Sequence, residues 1–292
     1  MAGMRRTGRE ASGECDRLRA EVRRLRARLR RLAPSLAVLL RRRGFRVYKK
    51  EPADDLLVPA AVFIDRYYTL LQKYSFRLFL RDVIKHQDRF TAELLTRYST
   101  VRTVRTYIGL LVEIGLAEAM GGAWRLARRP VLSFGPTLEW YVAELLKREL
   151  GAEALWSVKF RRPKVGGDYD VVAALDGALI YVEVKSSPPK QIYDSEVDAF
   201  LDRVDDLSPE IAVFLMDTEL RMKDKLVPMF EKALAGRAAD PPEVLRLERE
   251  LFHIRDSVYI VNAKESLAAN LETVIERIYR ARARRADTAT RP

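Results

Sequence analysis

Four ionisable side chains bracket two apolar runs between residues 166 and 185. The segment reads Gly166-Gly167-Asp168-Tyr169-Asp170, an apolar run to Leu175, Asp176-Gly177, a second apolar run to Val182, and then Glu183-Val184-Lys185. Asp-Gly between such runs favours the two-residue type I′ turn of a β-hairpin. With that turn, Leu175 stands opposite Ala178, Val172 opposite Tyr181, Val171 opposite Val182, Asp170 opposite Glu183, and Asp168 opposite Lys185. Side chains alternate along a strand, so Asp170, Glu183 and Lys185 project from one face. Opposed residues have Cβ atoms about 5 Å apart, where like charges repel. A divalent cation between the two carboxylates, with the lysine beside it, is the simplest arrangement that accounts for them.

The flanking sequence supplies elements to position this hairpin. The pattern predicts a helix over 136–150, a strand over 154–160, the hairpin, a helix over 193–204 and a buried strand over 211–216. Helices over 222–234 and 242–251, a buried strand over 257–261 and a long helix over 266–285 follow. Helix, three strands, helix, strand is an α/β arrangement, a mixed sheet flanked by helices.

Gly135-Pro-Thr-Leu-Glu139-Trp-Tyr-Val-Ala-Glu-Leu-Leu, then Asp170-Val-Val, then Glu183-Val-Lys185 resembles the PD-(D/E)XK, or restriction-endonuclease-like, nuclease superfamily over about residues 131–217. The resemblance implies that Glu139 on its helix, Asp170, Glu183 and Lys185 form a catalytic set. Gly-Gly-Asp-Tyr replaces the proline that usually precedes the aspartate, which leaves Asp168 as a second candidate acid. Asp170 is preferred because it faces Glu183. Mg²⁺ or Mn²⁺ would be held by the hard oxygens of Asp170 and Glu183, with the Val184 carbonyl as a further donor. Glu139 would reach the metal through water or hold a second ion. Lys185 would orient the attacking water and stabilise charge developing on phosphorus. The implied reaction is hydrolysis of a DNA phosphodiester bond. The plain alternative is a solvated hairpin end with an Asp168–Lys185 ion pair.

Upstream, 75–87, 91–98 and 100–114 read as helices, and 116–126 as a hairpin around Gly121-Gly122, after a helical connection over 56–74. The stretch TAELLTRYSTVRTVRTYIGLLVEIGLAEAMGGAWRLA resembles the winged helix-turn-helix superfamily. Val101, Val104, Ile108, Leu111 and Val112 give the third helix an apolar face. Arg102, Thr103, Arg105 and Thr106 lie on the other face near its N-terminus, the part that enters a major groove in this motif, and Arg125 lies on the wing. Seven arginines against three acids between 89 and 129 suit a polyanion. Winged helices also dock proteins and dimerise.

Charge is unevenly distributed. The 292-residue chain carries +12, while residues 1–50 hold 17 Lys+Arg against 4 Asp+Glu, a net +13 that leaves the remainder at −1. Leu18, Val22, Leu25, Leu29 and Leu32 follow heptad spacing among many arginines, which suits a solvated tail, a homodimeric coiled coil or a phosphate-binding arm. The expected organisation is a basic helical arm over 1–55, a winged-helix domain over 56–130 and a nuclease-like α/β domain over 131–292. Cys15 is the single cysteine, so no intramolecular disulfide forms, and a reducing cytoplasm is the expected compartment. No signal peptide or membrane span is read. Scarce Asn and Gln beside abundant Arg lean toward a thermophilic source.

The remaining candidates are weaker. His86 and His253 lack partners at metal-ligand spacing, and no phosphate-binding G-x-x-x-x-G-K-[ST] loop occurs. Trp124, Trp140 and Trp156 read as packing. Lys190 and Gln191, and Arg161, Arg162 and Lys164, flank the hairpin and could touch a substrate, although plain loops are simpler. Two other functions compete with a Mg²⁺-dependent nuclease for DNA repair, recombination or defence. One is a DNA-binding regulator on an inactive nuclease fold, and the other is a winged-helix assembly module.

Overall fold

Short, continuous apolar runs such as Ile211-Ala-Val-Phe-Leu-Met216 and Val258-Tyr-Ile-Val261 suit strands covered on both faces, and they occupy the middle of one sheet. The computed structural model describes residues 34–289 except 53 and 162–164, with the isolated helical positions Arg17, Glu21 and Arg24, and only the backbone over 282–289. The heptad seam over 18–32 and the basic turn residues Arg162 and Lys164 lie outside the described residues.

In chain order the elements are α1 (Leu36–Arg42), β1 (Val47–Lys49), α2 (Ile64–Leu71), α3 (Tyr74–Lys85), α4 (Val101–Glu113), β2 (Ala117–Met120), β3 (Ala123–Leu126) and α5 (Gly135–Arg148). They continue as β4 (Glu153–Phe160), β5 (Tyr169–Leu175), β6 (Ala178–Lys185), α6 (Asp194–Leu207), β7 (Ile211–Met216), α7 (Leu226–Ala235), β8 (Leu245–Glu248), β9 (Leu251–Ile254), β10 (Val258–Asn262) and α8 (Leu267–Ala289). Eight strands form a mixed sheet in the order β1-β4-β5-β6-β7-β10-β9-β8, while β2 and β3 make a separate hairpin. β6–β7 and β7–β10 are parallel; the other neighbours are antiparallel.

The period-2 alternation divides the core. Val171, Ala173, Ile180 and Val182 face a cluster shared with α5, α8 and the upstream helices α2–α4. Val172, Leu179, Tyr181 and Phe214 face the opposite way, against α1, α6 and α7. The β5–β6 register follows from the turn: Leu175 pairs with Ala178, Val172 with Tyr181 and Val171 with Val182. Asp176 and Gly177 have φ of 47° and 79°, the two positive values that a type I′ turn demands.

Three expectations need correction. Residues 242–251 form β8 and the start of β9 rather than a helix. Leu245 and Leu247 alternate along the edge strand, and Arg249 adopts φ 45° at the turn. The expected helix over 91–98 is a series of turns over 92–97, too short a stretch to repay nucleation of a helix. On α4 the buried face is Val104, Tyr107, Ile108 and Leu111, whereas Val101 and Val112 are exposed. The i, i+3, i+4, i+7 stripe begins at 104, so Tyr107 belongs to it and Val101 does not. Among the described residues no helix is long and apolar enough to cross a membrane.

Candidate active site

The paired strands part where the acids begin. Regular β5–β6 pairing stops at Val171–Val182, one pair short of the expected Asp170–Glu183 opposition. The Val184 N–H, freed where the ladder ends, donates to Asp170 Oδ2 at 2.7 Å. Mutual repulsion of two carboxylates opposes close pairing, and the backbone donor gives Asp170 another partner. A further acid comes to the end of the hairpin from α5.

Glu139 makes that approach from the second turn of α5. Pro136 at the start of this helix lacks the N–H that would be unpaired there in any case. Leu138, Tyr141 and Val142 bury the helix against the sheet, which fixes where Glu139 lies. Desolvation, then the carboxylates of Asp170, Asp168 and Glu183, push its carboxyl up to about 9. Asp170 is raised to about 8, first by desolvation and then by Glu183, against the opposing effect of the Val184 hydrogen bond. Glu139 on its helix is therefore electrostatically coupled to Asp170 and Glu183 on the two strands.

Glu183 is 3 % exposed and is gripped by protein donors. Its Oε1 meets Lys185 Nζ at 2.9 Å, and its Oε2 accepts from Arg203 Nη1 at 3.0 Å and from the Tyr181 hydroxyl. Lys185 also reaches Glu196 Oε1 at 3.2 Å. Glu196 Oε2 in turn accepts the Tyr193 N–H at 3.0 Å, so one carboxylate both caps α6 and holds the lysine. Burial alone would lower the Lys185 ammonium, but Glu183, Asp170 and Glu196 outweigh it and keep its pKa above the ordinary value. The lysine is thus a fixed cation, able to stabilise negative charge but not poised as a base.

Asp168 does not face Lys185. It pairs with Lys159 of β4 at 2.9 Å, so the Asp168–Lys185 ion pair of the plain alternative is absent. Arg203, Tyr181 and Glu196 escaped sequence reasoning. Their one signal was spacing: Tyr181 lies two residues before Glu183, hence on its face, and Glu196, Phe200 and Arg203 form an i, i+4, i+7 stripe on α6. The hard oxygens available to a cation are those of Asp170, Glu183 and Glu139. Among the described residues, no three or more His, Cys, Asp or Glu side chains are gathered closely enough to hold a metal ion.

The upstream residues are more open. Arg102, Arg105 and Thr106 are exposed on the first half of α4, and Thr103 donates its N–H to the capping Thr100 hydroxyl at 3.3 Å. Arg105 pairs with Glu93 at 3.0 Å, and Arg125 with its cross-strand partner Glu118 at 2.6 Å. Trp140 and Trp156 are buried, as packing residues should be. His253 is also buried, beside Asp256 and against Tyr259, and burial lowers its imidazole pKa.

No family model matches the chain, and no curated protein matches it. Among solved structures it is similar to protein VC1899 from Vibrio cholerae, at 17 % identity and a TM-score of 0.42, over 66 % of this chain and 55 % of that one. It is also similar to Can2 from Sulfobacillus thermosulfidooxidans, solved in complex with cyclic tetra-adenylate, at 14 % identity and a TM-score of 0.43, over 84 % of this chain and 60 % of that one. The chain thus spans 60 % or less of the length of either protein.

Proposed function

We propose that this chain is a metal-dependent nuclease of the PD-(D/E)XK type that hydrolyses DNA phosphodiester bonds. The observation that carries the reading is the open end of the β5–β6 hairpin, where Glu183 meets the fixed ammonium of Lys185 at 2.9 Å and Asp170 accepts the N–H of the adjoining Val184, with Glu139 of α5 electrostatically coupled to both acids. The donor set suits a hard divalent cation. It is made of carboxylate oxygens, whose mutual charge adds to desolvation in raising Glu139 and Asp170. Two protein carboxylates with a main-chain carbonyl are enough when water and a phosphate oxygen complete the shell. Mg²⁺ or Mn²⁺ bound there would neutralise the phosphodiester and lower the pKa of the attacking water. Asp170 and Glu183 would hold it, and Glu139 would act from α5 through water or toward a second ion. Lys185 would orient the water and stabilise the charge that develops on phosphorus.

In this reading residues 131–292 are the nuclease unit and 56–130 a winged helix that positions the duplex through Arg102, Thr103, Arg105, Thr106 and Arg125. Of the arm over 1–55, α1 and β1 pack onto the nuclease sheet, and the residues before them would add phosphate contacts or a dimer seam. The order α3, turns, α4, β2–β3 hairpin supports the winged helix. A role in DNA repair, recombination or defence would follow. A specific observation favours one competing reading: both oxygens of Glu183 already have protein donors, as they would in a DNA-binding regulator whose nuclease fold is silent. Cleavage of linear, branched and single-stranded DNA with Mg²⁺ and Mn²⁺ separates the two. The wild type should cut, and Lys185→Ala should lose about a hundredfold or more in rate, the scale of removing one transition-state donor. Equal rates would sink the site assignment. Metal-independent DNA binding without cleavage would favour the regulator.

A further inference from the structure

Arg203 has no part in that chemistry, yet it is built into the site with unusual care. It ends a stripe on α6 in which Glu196, Phe200 and Arg203 each meet a side chain of β6. Glu196 holds Lys185 at 3.2 Å, Phe200 stacks on Tyr181 with ring centroids 5.7 Å apart, and Arg203 holds Glu183 at 3.0 Å. The Arg203 side chain is 14 % exposed, so it acts on Glu183 rather than on anything as large as a DNA backbone. Its Nε is buried with no hydrogen-bond partner among the described residues.

An independent observation comes from the loop before β5. Gly167 has φ +99°, and a Cβ added there would lie 2.7 Å from Arg203 Nη2. A side chain at 167 would oblige the guanidinium to shift, and the positive φ already favours glycine there.

We propose that Arg203 is the positioning residue of Glu183, an internal cation that fixes the orientation of this carboxylate, and that Gly167 is the cradle admitting it. The proposal rests on the metal-dependent reading of the same site. Charge and position pull in opposite directions, which makes it testable. Removing a cation from beside a metal ligand should tighten metal binding by Coulomb attraction alone. Removing the group that orients a ligand should weaken it, by about 10–100-fold for partners of this kind.

The experiment is calorimetric titration of the full chain with Mn²⁺, with circular dichroism to verify folding. Arg203→Ala should weaken Mn²⁺ about tenfold, and Arg203→Lys should recover part of the loss. Gly167→Ala changes no charge and should weaken Mn²⁺ in the same direction, but should have little further effect in the Arg203→Ala background. Unchanged or tighter binding in Arg203→Ala overturns the proposal. So does a Gly167→Ala loss that is as large without the arginine as with it, which would mark backbone strain as its source. Wild-type protein that takes up no Mn²⁺ is a separate failure: it overturns the metal-dependent reading itself, and this proposal with it.

Discussion

Glu139 and Asp170 each bind a proton more tightly in the folded chain than when unfolded, because desolvation and neighbouring carboxylates penalise their charged forms. The sign of the consequence follows. The stabilisation is fully present below the ordinary values of 4.5 and 3.8 and is lost as pH climbs through about 9 and about 8. Metal-free protein in chelator should therefore melt at progressively lower temperature from pH 5 to pH 9. Glu139→Gln removes one of these groups and should flatten that profile. A mutant profile parallel to the wild type would show that Glu139 does not feel its neighbours.

The elements that carry the site are joined by a second buried charge cluster. Asp217 follows β7, donates its N–H to the Lys185 carbonyl at 2.8 Å and is fully buried. Arg77 of α3 reaches its Oδ1 with Nη2 at 2.8 Å and Nε at 2.9 Å, while Arg81 pairs with Oδ2 and with the Asp217 carbonyl. Arg77 also donates to the carbonyl of Leu71 at 2.6 Å, closing the end of α2. Helices upstream of the sheet are thereby fastened one residue from the strand that neighbours Lys185. Removing one partner of a buried ion pair leaves uncompensated charge, at a cost of about 3–5 kcal/mol. Asp217→Ala should lose that much in denaturant unfolding, more than Asp168→Ala, whose Lys159 partner sits in a half-exposed pair. Equal losses would mean that the buried cluster is not a fastening.

At the scale of the whole molecule the functional reading depends on how charge is laid out. The basic excess lies in residues 1–50, whereas the remainder is close to neutral. DNA affinity should therefore fall steeply with salt, and removing residues 1–33 should reduce the slope of log K against log salt. Arg102→Ala and Arg105→Ala should each reduce that slope by about one if they contact phosphate. Arg105 first has to leave Glu93, so Arg102 is the cleaner test. A salt slope indifferent to both the arm and α4 would place the DNA interface elsewhere.

The amino-acid sequence by itself determined everything that depends on local repetition. The Asp176-Gly177 turn set the register of β5 and β6, because a two-residue hairpin loop leaves one alignment. The apolar stripes set most helices, and the face on which Asp170, Glu183 and Lys185 stand was fixed by alternation. The 242–251 stretch was misread because its few apolar residues fit either period, and pairing with β9 decided between them. Only tertiary structure could end the ladder at Val171–Val182, send Asp168 to Lys159, or bring Arg203 from α6 onto Glu183. Those contacts join residues with no periodic relation in the chain, and they depend on where helices settle against a twisted sheet. The stretch between 166 and 185, with Glu139 upstream, thus supplied the candidate site residues, while packing of α6 brought Glu196 and Arg203 to Lys185 and Glu183.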